Sequence, residues 1–431
     1  MNCLAWINLK KKIILPFTFY ILPFTLFSQD SSYTRQLLDT LCSPNMHGRG
    51  YLNEGDKIAA EFISSEFKKS GLKSFLFETY QQPFPVAVNT FPKVSVTFDK
   101  TVLTAGKDFL VLPISSGIKK GNYKIIPFNK ATVESESSLT KFKENDLAGA
   151  FILIDGTGVE DSSKLKIFES MKYNPLSAKG IIIVTEKLTH SISPKVSDFP
   201  AIEILKHSLP VEIKKISIEI ENKFYEKYFT QNVVGFVEGT QFPDSFIVFS
   251  AHYDHLGKMG NDCYFPGAND NASGTAMLLN LTKYFVSNPQ KISVAFIAFG
   301  AEEAGLVGSK FFTLHPLFPL EKIRFLVNLD ILGTGDEGIT VVNATEFPGE
   351  FELLKKINAE KKFLSAINER GKAQNSDHYW FSEKGVPAFF IYTLGGIKAY
   401  HDIYDKPETL PLTEFADIFQ LLINFTNFLQ K

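Results

Sequence analysis

Several separated residues along this chain carry side chains able to bind a cation or move a proton. His252 and Asp254 stand in His252-Tyr253-Asp254, Asp270 lies within the turn-like stretch 266–274, Glu302 and Glu303 are adjacent, Asp330 follows Asn328-Leu329, and His401 follows Tyr400. Alone, each has an ordinary explanation. A His-x-Asp triplet is commonly a local hydrogen bond, Asn and Gly suit a turn opening a helix, and paired acids suit a first helical turn. Asp330 suits a helix cap and His401 a surface loop. Taken together, two imidazoles and three carboxylates are enough to ligate two divalent ions, and this nitrogen and oxygen mix suits zinc. Two ions about 3.5–4 Å apart need one bridging carboxylate and share a water that ionises near neutral pH. That water's proton needs an acceptor that is not itself a ligand. Glu302-Glu303 offers both functions, one carboxylate for a cation and its neighbour for the proton.

Such chemistry requires rigid elements that bring distant residues together. From residue 232 onward apolar runs alternate with helical segments, the rhythm of an α/β fold with a mostly parallel, doubly wound sheet and helices on both faces. Runs 246–251, 294–299, 324–329 and 387–392 read as its strands, each followed at once by polar residues. Ligands of such sheets bind beyond the carboxyl ends of the strands, so these loops are predicted to converge on one crevice. Phe415, Ile418, Phe419, Leu422, Phe425 and Leu429 share one helical face and predict a terminal covering helix. Earlier, Ile58, Ala59, Phe62, Ile63 and Phe67 recur at helical spacing, with Gly71 as the stop. Val94, Val96 and Phe98 alternate with polar residues, as strands of an antiparallel layer do. Residues 114–228 carry short β-rich runs, and their histidines, His190 and His207, have no acidic partner at ligand spacing. This stretch reads as an inserted module without a metal site, structural or substrate-gating in role. The predicted organisation is one domain over 29–113 and 229–431, interrupted by a β-rich insertion over 114–228.

Composition narrows the classes of partner. With 44% apolar and 21% charged residues over 431 positions the chain is globular, and 45 Lys and Arg against 47 Asp and Glu leave a formal charge of −2. It has no basic face for phosphates, so nucleic acid is not an expected partner. Three cysteines leave no thiolate cluster for zinc. Residues 1–28 hold Lys10, Lys11 and Lys12 and then an apolar run over 13–27, which reads as a signal peptide. Pro16 and Pro23 interrupt that run, and it falls short of the roughly 20 residues a spanning helix needs. No stable membrane anchor is expected, and the mature chain is expected to be exported, periplasmic or extracellular. Cys3 would leave with the signal. Cys42 and Cys263 would then remain either as one bridge in an oxidising compartment or as two buried free thiols, and both readings stay open.

The motifs resemble a known family, the co-catalytic zinc exopeptidases typified by bacterial secreted aminopeptidases and glutamate carboxypeptidase. The resemblance rests on Met46-His47-Gly48-Arg49-Gly50, Ala251-His252-Tyr253-Asp254-His255-Leu256-Gly257, the 267–274 segment, Gly300-Ala301-Glu302-Glu303-Ala304-Gly305, Asn328-Leu329-Asp330 and Tyr400-His401-Asp402. It implies that His252 and Asp330 hold one zinc, Glu303 and His401 the other, that Asp270 bridges them, and that Glu302 is the general base. It implies further that the Asp254 carboxylate fixes the His252 tautomer, that Tyr400 polarises the scissile carbonyl, and that the peptide after Asp270 is cis. Ser376-Asp377-His378 is similar to a supporting segment near the family's site, with Asp377 among its outer residues; Arg49 and His255 have no chosen role. The insertion resembles a protease-associated domain. The implied function is hydrolysis at a chain end with two zinc ions per chain, as an aminopeptidase acting on peptides with a free N-terminus. A glutaminyl cyclase-type acyltransferase on the same fold, or a non-catalytic binding ectodomain, are the alternatives.

Overall fold

The computed structural model describes residues 30–210 and 212–430; the signal peptide expected over 1–28 lies outside the described residues. Helices α1 (Ser31–Leu41) and α2 (Gly55–Ser70) lead into strands β1 (Gln81–Phe98), β2 (Thr101–Leu103) and β3 (Phe109–Val111). Next come β4 (Ile118–Phe128), α3 (Glu136–Lys143), β5 (Ala150–Ile154), α4 (Ser162–Met171), β6 (Gly180–Thr185), β7 (Ala201–Leu205) and the long β8 (Lys215–Val237). The chain continues through β9 (Phe242–His252), β10 (Lys258–Met259), β11 (Cys263–Tyr264), α5 (Gly274–Ser287), β12 (Ile292–Phe299), α6 (Val307–Leu314) and β13 (Ile323–Leu329). It closes with β14 (Ile339–Val342), α7 (Pro348–Lys361), β15 (Ile367–Arg370), α8 (His378–Glu383), β16 (Ala388–Thr393) and α9 (Phe415–Leu429).

Alternation of side chains along the central strands explains why helices cover both faces. Ile247, Phe249 and Ala251 of β9 and Val294, Phe296 and Ala298 of β12 point into one core, shared with α2, α5, α7 and α9. Phe246 and Val248, with Ala295, Ile297 and Phe299, point the other way against Phe312 of α6 and Phe381 of α8. Strands buried on both sides read as near-continuous apolar runs, as they do here. Helix α9 docks through Phe415, Ile418, Phe419, Leu422 and Phe425, all buried, each aromatic or branched side chain contributing about 1.5–3 kcal/mol relative to exposure. Helix α2 ends where expected, on Gly71 with φ 84°.

The sheet order is β15-β14-β16-β13-β9-β12-β8-β4-β5-β6-β7-β3. At its centre β16, β13, β9 and β12 run parallel. Antiparallel joints at β12–β8 and β8–β4 carry the same sheet onward into the inserted region. There β4, β5, β6 and β7 are again parallel, and Phe142 of α3 with Phe168 and Met171 of α4 pack on them. The insertion is thus mixed α and β. The boundary expected at residue 114 meets no break in packing, because Phe91, Val96, Phe98, Phe109 and Val111 share a core with Ile125, Phe151, Ile182 and Ile218. The strands β1 and β8 form one antiparallel ribbon running from Gln81 opposite Val233 to Phe98 opposite Ile216, and so traverse both regions. Cys42 and Cys263 are buried free thiols. Among the described residues no helix is long and apolar enough to cross a membrane.

Candidate active site

The parallel strands deliver the chemistry at their carboxyl ends. His252 is the last residue of β9 and lies opposite Phe299, the last of β12, so the Glu302-Glu303 turn begins beside it. Asp330 follows β13 directly, its N–H donating to the Ile391 carbonyl of β16 at 3.2 Å. Asp270 sits in the turn before α5, on a cis peptide to Asn271. His401 comes from the loop after β16, in a left-handed conformation with φ 55°.

These residues converge. His252 Nε2 is 3.3 Å from Asp270 Oδ1 and 3.3 Å from Asp330 Oδ1, while His401 Nε2 is 3.1 Å from Asp270 Oδ2 and 3.3 Å from Glu303 Oε2. Ligand atoms about 2.0–2.1 Å from a tetrahedral zinc are separated by about 3.3 Å, so the donor set has the spacing that zinc requires. Among the described residues Asp330 Oδ1 is buried without a hydrogen-bond donor, which also fits a cation. Among the described residues His252, Glu302 and Asp330 form one group of possible ligands, and His255, Asp270 and Glu303 another. In the second group His255 Nδ1 contacts Glu303 Oε1 at 2.8 Å, a hydrogen bond that steadies the carboxylate, and His401 faces the other oxygen.

The backbone selects the tautomers. His252 Nδ1 is 3.2 Å from the Asp254 carbonyl and His401 Nδ1 is 3.1 Å from the His190 carbonyl. A carbonyl only accepts, so each Nδ1 donates and each Nε2 faces the carboxylates. Electrostatics point the same way. Burial disfavours charge on His252, yet Asp330 and Glu302 overcome it and raise its pKa well above the ordinary value. Burial likewise opposes charge on His401, but hydrogen bonds to Asp270 and Glu303 push it up to about 11. Burial raises the pKa of Asp270, and burial with the Asp270 charge raises that of Glu303, but the imidazoles outweigh both, leaving Asp270 well below its usual value and Glu303 at about 2. A cluster that draws this much positive charge onto its imidazoles is one a divalent cation would neutralise. Glu302 differs: burial, with Glu303, Asp377 and Asp330 nearby, raises it well above a normal carboxylate against the pull of His252.

Outer contacts depart from expectation at two places. The Asp254 carboxylate stands 3.8 Å from His252 Nδ1, beyond hydrogen-bonding distance, and the Asp254 main-chain carbonyl orients that ring instead. The carboxylate accepts from the N–H groups of Glu302 at 3.0 Å and Glu303 at 3.3 Å, so it aims the glutamate turn. Asp377 is buried, its carboxylate oxygens outside hydrogen-bond geometry among the described residues, and burial pushes it up to about 7 against the pull of His252 and Ser309. Its neighbour Ser376 makes the contact, donating to Asp330 Oδ2 at 2.9 Å while accepting from Asn328 Nδ2 at 2.7 Å.

Arg49 and Asp405 fasten the Asp270 turn. The buried Arg49 guanidinium donates to the carbonyls of Leu41, Tyr253, Pro266 and Gly267 at 2.7–2.9 Å, tying the His252 loop to the Asp270 loop. Asp405 accepts from the N–H groups of Asn269 and Asp270 at 2.8–3.0 Å. Gly267, at φ 58°, is required, since a Cβ would lie 2.3 Å from the Asp270 carbonyl oxygen and 2.6 Å from Arg49 Nη2. Sequence reasoning missed Asp405; its place four residues after His401 is the signal available for it. The cavity over this cluster measures about 470 Å³ and is lined further by Leu306, Ile331, Arg370, Gln374, Asn375, Phe390, Tyr392 and Tyr400. Tyr400 stacks on the His401 ring, centroids 4.0 Å apart. Arg370 and Tyr392 meet at 3.2 Å on the cavity wall and belong to no motif, so nothing in the sequence singled them out.

The chain is similar to several known proteins. "Aminopeptidase YwaD" of Bacillus subtilis is 26% identical over 320 residues, covering 72% of this chain and 67% of that protein. A "Vacuolar membrane protease" of Candida tropicalis is 26% identical over 221 residues, 51% of this chain but only 23% of that protein. Two solved structures share the fold. They are "BSAP, a zinc aminopeptidase from Bacillus subtilis" (TM-score 0.68, 21% identity, covering 92% of this chain and 94% of that one) and a "Peptidase M28 precursor" from Shewanella amazonensis (TM-score 0.69, 17% identity, 94% of each). Residues 232–426, which hold every side chain of the carboxylate and imidazole cluster, match the family described as "Peptidase family M28".

Proposed function

We propose that the chain is a zinc-dependent exopeptidase and, within that class, an aminopeptidase releasing residues from peptides with a free N-terminus. The observation that carries this reading is Asp270, whose two oxygens lie 3.3 Å from His252 Nε2 and 3.1 Å from His401 Nε2. One carboxylate between two imidazoles, with a further acid beside each, is a ligand set for two cations. In this reading His252 and Asp330 would hold one zinc, His401 and Glu303 the second, and Asp270 would contribute to both. When bound, zinc supplies Lewis acidity toward a carbonyl oxygen and lowers the pKa of a water.

The remaining work falls to the chain's own groups. Glu302 takes the proton of the attacking water and passes it to the departing amine; its burial among acids, which raises its pKa, suits a group that must hold a proton between those events. Asp254 keeps it aimed by binding its N–H. The Tyr400 phenol, kept protonated by burial and by the charges of Asp270 and Glu303, donates to the scissile carbonyl oxygen. Leu306, Ile331 and Phe390 on the cavity wall exclude water around the terminal side chain. The choice of the amino end draws support from the name of the Bacillus relative. Export guided by residues 1–28 belongs to the same proposal, and an N-terminus near Ser28-Gln29 on protein recovered outside the cytoplasm is its expected mark.

A panel of peptides blocked at either end tests the reading. Free N-termini are expected to yield amino acids only with zinc present, and N-acetylation to abolish release. Cleavage that survives N-acetylation and is lost on C-terminal amidation contradicts the aminopeptidase assignment. Pyroglutamate formed in place of released amino acid contradicts hydrolysis.

A further inference from the structure

We propose that the inserted region is a working part of the metal centre, its segment after β6 acting as a latch that positions His401. This rests on the zinc reading above. The segment joins the His401 loop through two main-chain contacts at one residue: the His190 carbonyl accepts from His401 Nδ1 at 3.1 Å, and the His190 N–H donates to the His401 carbonyl at 2.9 Å. The first fixes which ring nitrogen faces Asp270 and Glu303. The second holds the backbone at a residue whose φ of 55° is uncommon for a side chain with a Cβ. No other hydrogen bond to the His401 imidazole Nδ1 occurs among the described residues.

Three neighbours brace the latch. Lys187 Nζ lies 3.3 Å from the carbonyls of Lys398 and Tyr400 and 3.5 Å from Asp402 Oδ2, gripping the loop on both sides of His401. The same Asp402 carboxylate accepts from the N–H groups of Tyr400 and Tyr404, so the lysine holds a loop already folded around an acid. The buried His190 ring lies flat on Phe265, centroids 4.9 Å apart and planes 12° apart, directly before the Pro266–Gly267 carbonyls that Arg49 binds. At its far end the segment is tied to β1, where Asn89 N–H donates to the Ser193 carbonyl at 3.0 Å. The segment therefore bridges the His401 and Asp270 loops from outside the 232–426 span.

Outer partners of a ligating imidazole are typically worth about 10–100-fold in metal affinity. Lys187 and His190 are positioning residues in this sense, and the test reads zinc binding by the full chain through chelator competition, without peptide substrate. The wild type is expected to take up two zinc ions, and K187M combined with H190P to weaken one of them about 10–100-fold while leaving the other unchanged. K187M alone, which keeps every main-chain group, is expected to move the same ion in the same direction by less. In a His401→Ala background, adding K187M is expected to alter the remaining ion by less than about 2-fold, because the coupled partner is gone. Equal weakening of both ions, or an effect of K187M that persists without His401, makes the segment merely structural and overturns the latch. Unchanged binding of two ions by K187M/H190P overturns it as well. A wild type that takes up no second zinc overturns the proposed function itself, and the latch with it.

Discussion

Glu302 and Glu303 are adjacent in sequence and have opposite electrostatic fates. Glu303 is held ionised by His255 and His401, whereas Glu302 is raised by burial and acidic neighbours; groups pushed apart in this way are suited to separate roles. Glu302→Gln is therefore expected to lower kcat about 10²–10⁴-fold with zinc content unchanged, and near wild-type turnover would remove Glu302 from the chemistry. Asp56 offers a second residue-scale test, away from the metal cluster. It is fully buried at the start of α2, accepts from the Tyr228 hydroxyl at 2.8 Å, and burial pushes its pKa up to about 6. A carboxyl whose folded pKa exceeds its unfolded one binds protons better when folded, so its contribution to stability is greatest below about pH 4 and is lost as pH rises to about 6. Asp56→Asn is expected to match wild type in Tm near pH 4 and to exceed it above pH 6, the gap approaching the equivalent of about 3 kcal/mol. A gap of the same size at both pH values would show that Asp56 is not charged at a cost.

At the level of elements, the site depends on turns placed at strand ends. The strands, the α2 and α9 faces and the residues just beyond the parallel strands were legible in the sequence, because apolar periodicity is strong where an element is buried on one or both sides. Less legible were contacts closed by folding. Asp405 reaches Asn269 across 136 positions, Ser376 rather than Asp377 touches Asp330, and the Asp254 carbonyl rather than its carboxylate meets His252. Such choices are settled by a fraction of an ångström in packing, which residue type does not encode. The 266–271 turn is the most exacting element. Gly267→Ala would set a Cβ 2.3 Å from the Asp270 carbonyl oxygen at a positive φ, and is expected to destabilise the fold by about 1–3 kcal/mol and to lower zinc affinity together with Tm. Wild-type Tm and zinc binding in that variant would show that the turn is not the constraint on Asp270.

For the whole molecule, the relevant fact is that one sheet runs through both regions on the β1/β8 ribbon. An insertion joined by flexible linkers leaves its host intact when excised, but here a cut over 114–228 removes most of the strand that pairs with 84–98 of β1. It also exposes Phe91, Val96 and Phe98, which share the second core. Deletion of 114–228 is expected to abolish the cooperative thermal transition, and a soluble, cooperatively melting remainder would show the two regions to be independent. Neither region alone makes the proposed metal centre, in which Asp270 would join two cations. Zinc content measured on wild type and on Asp270→Ala tests this most directly. Two ions per chain in the wild type and at most one in the variant are predicted, and two ions retained without the Asp270 carboxylate would contradict it.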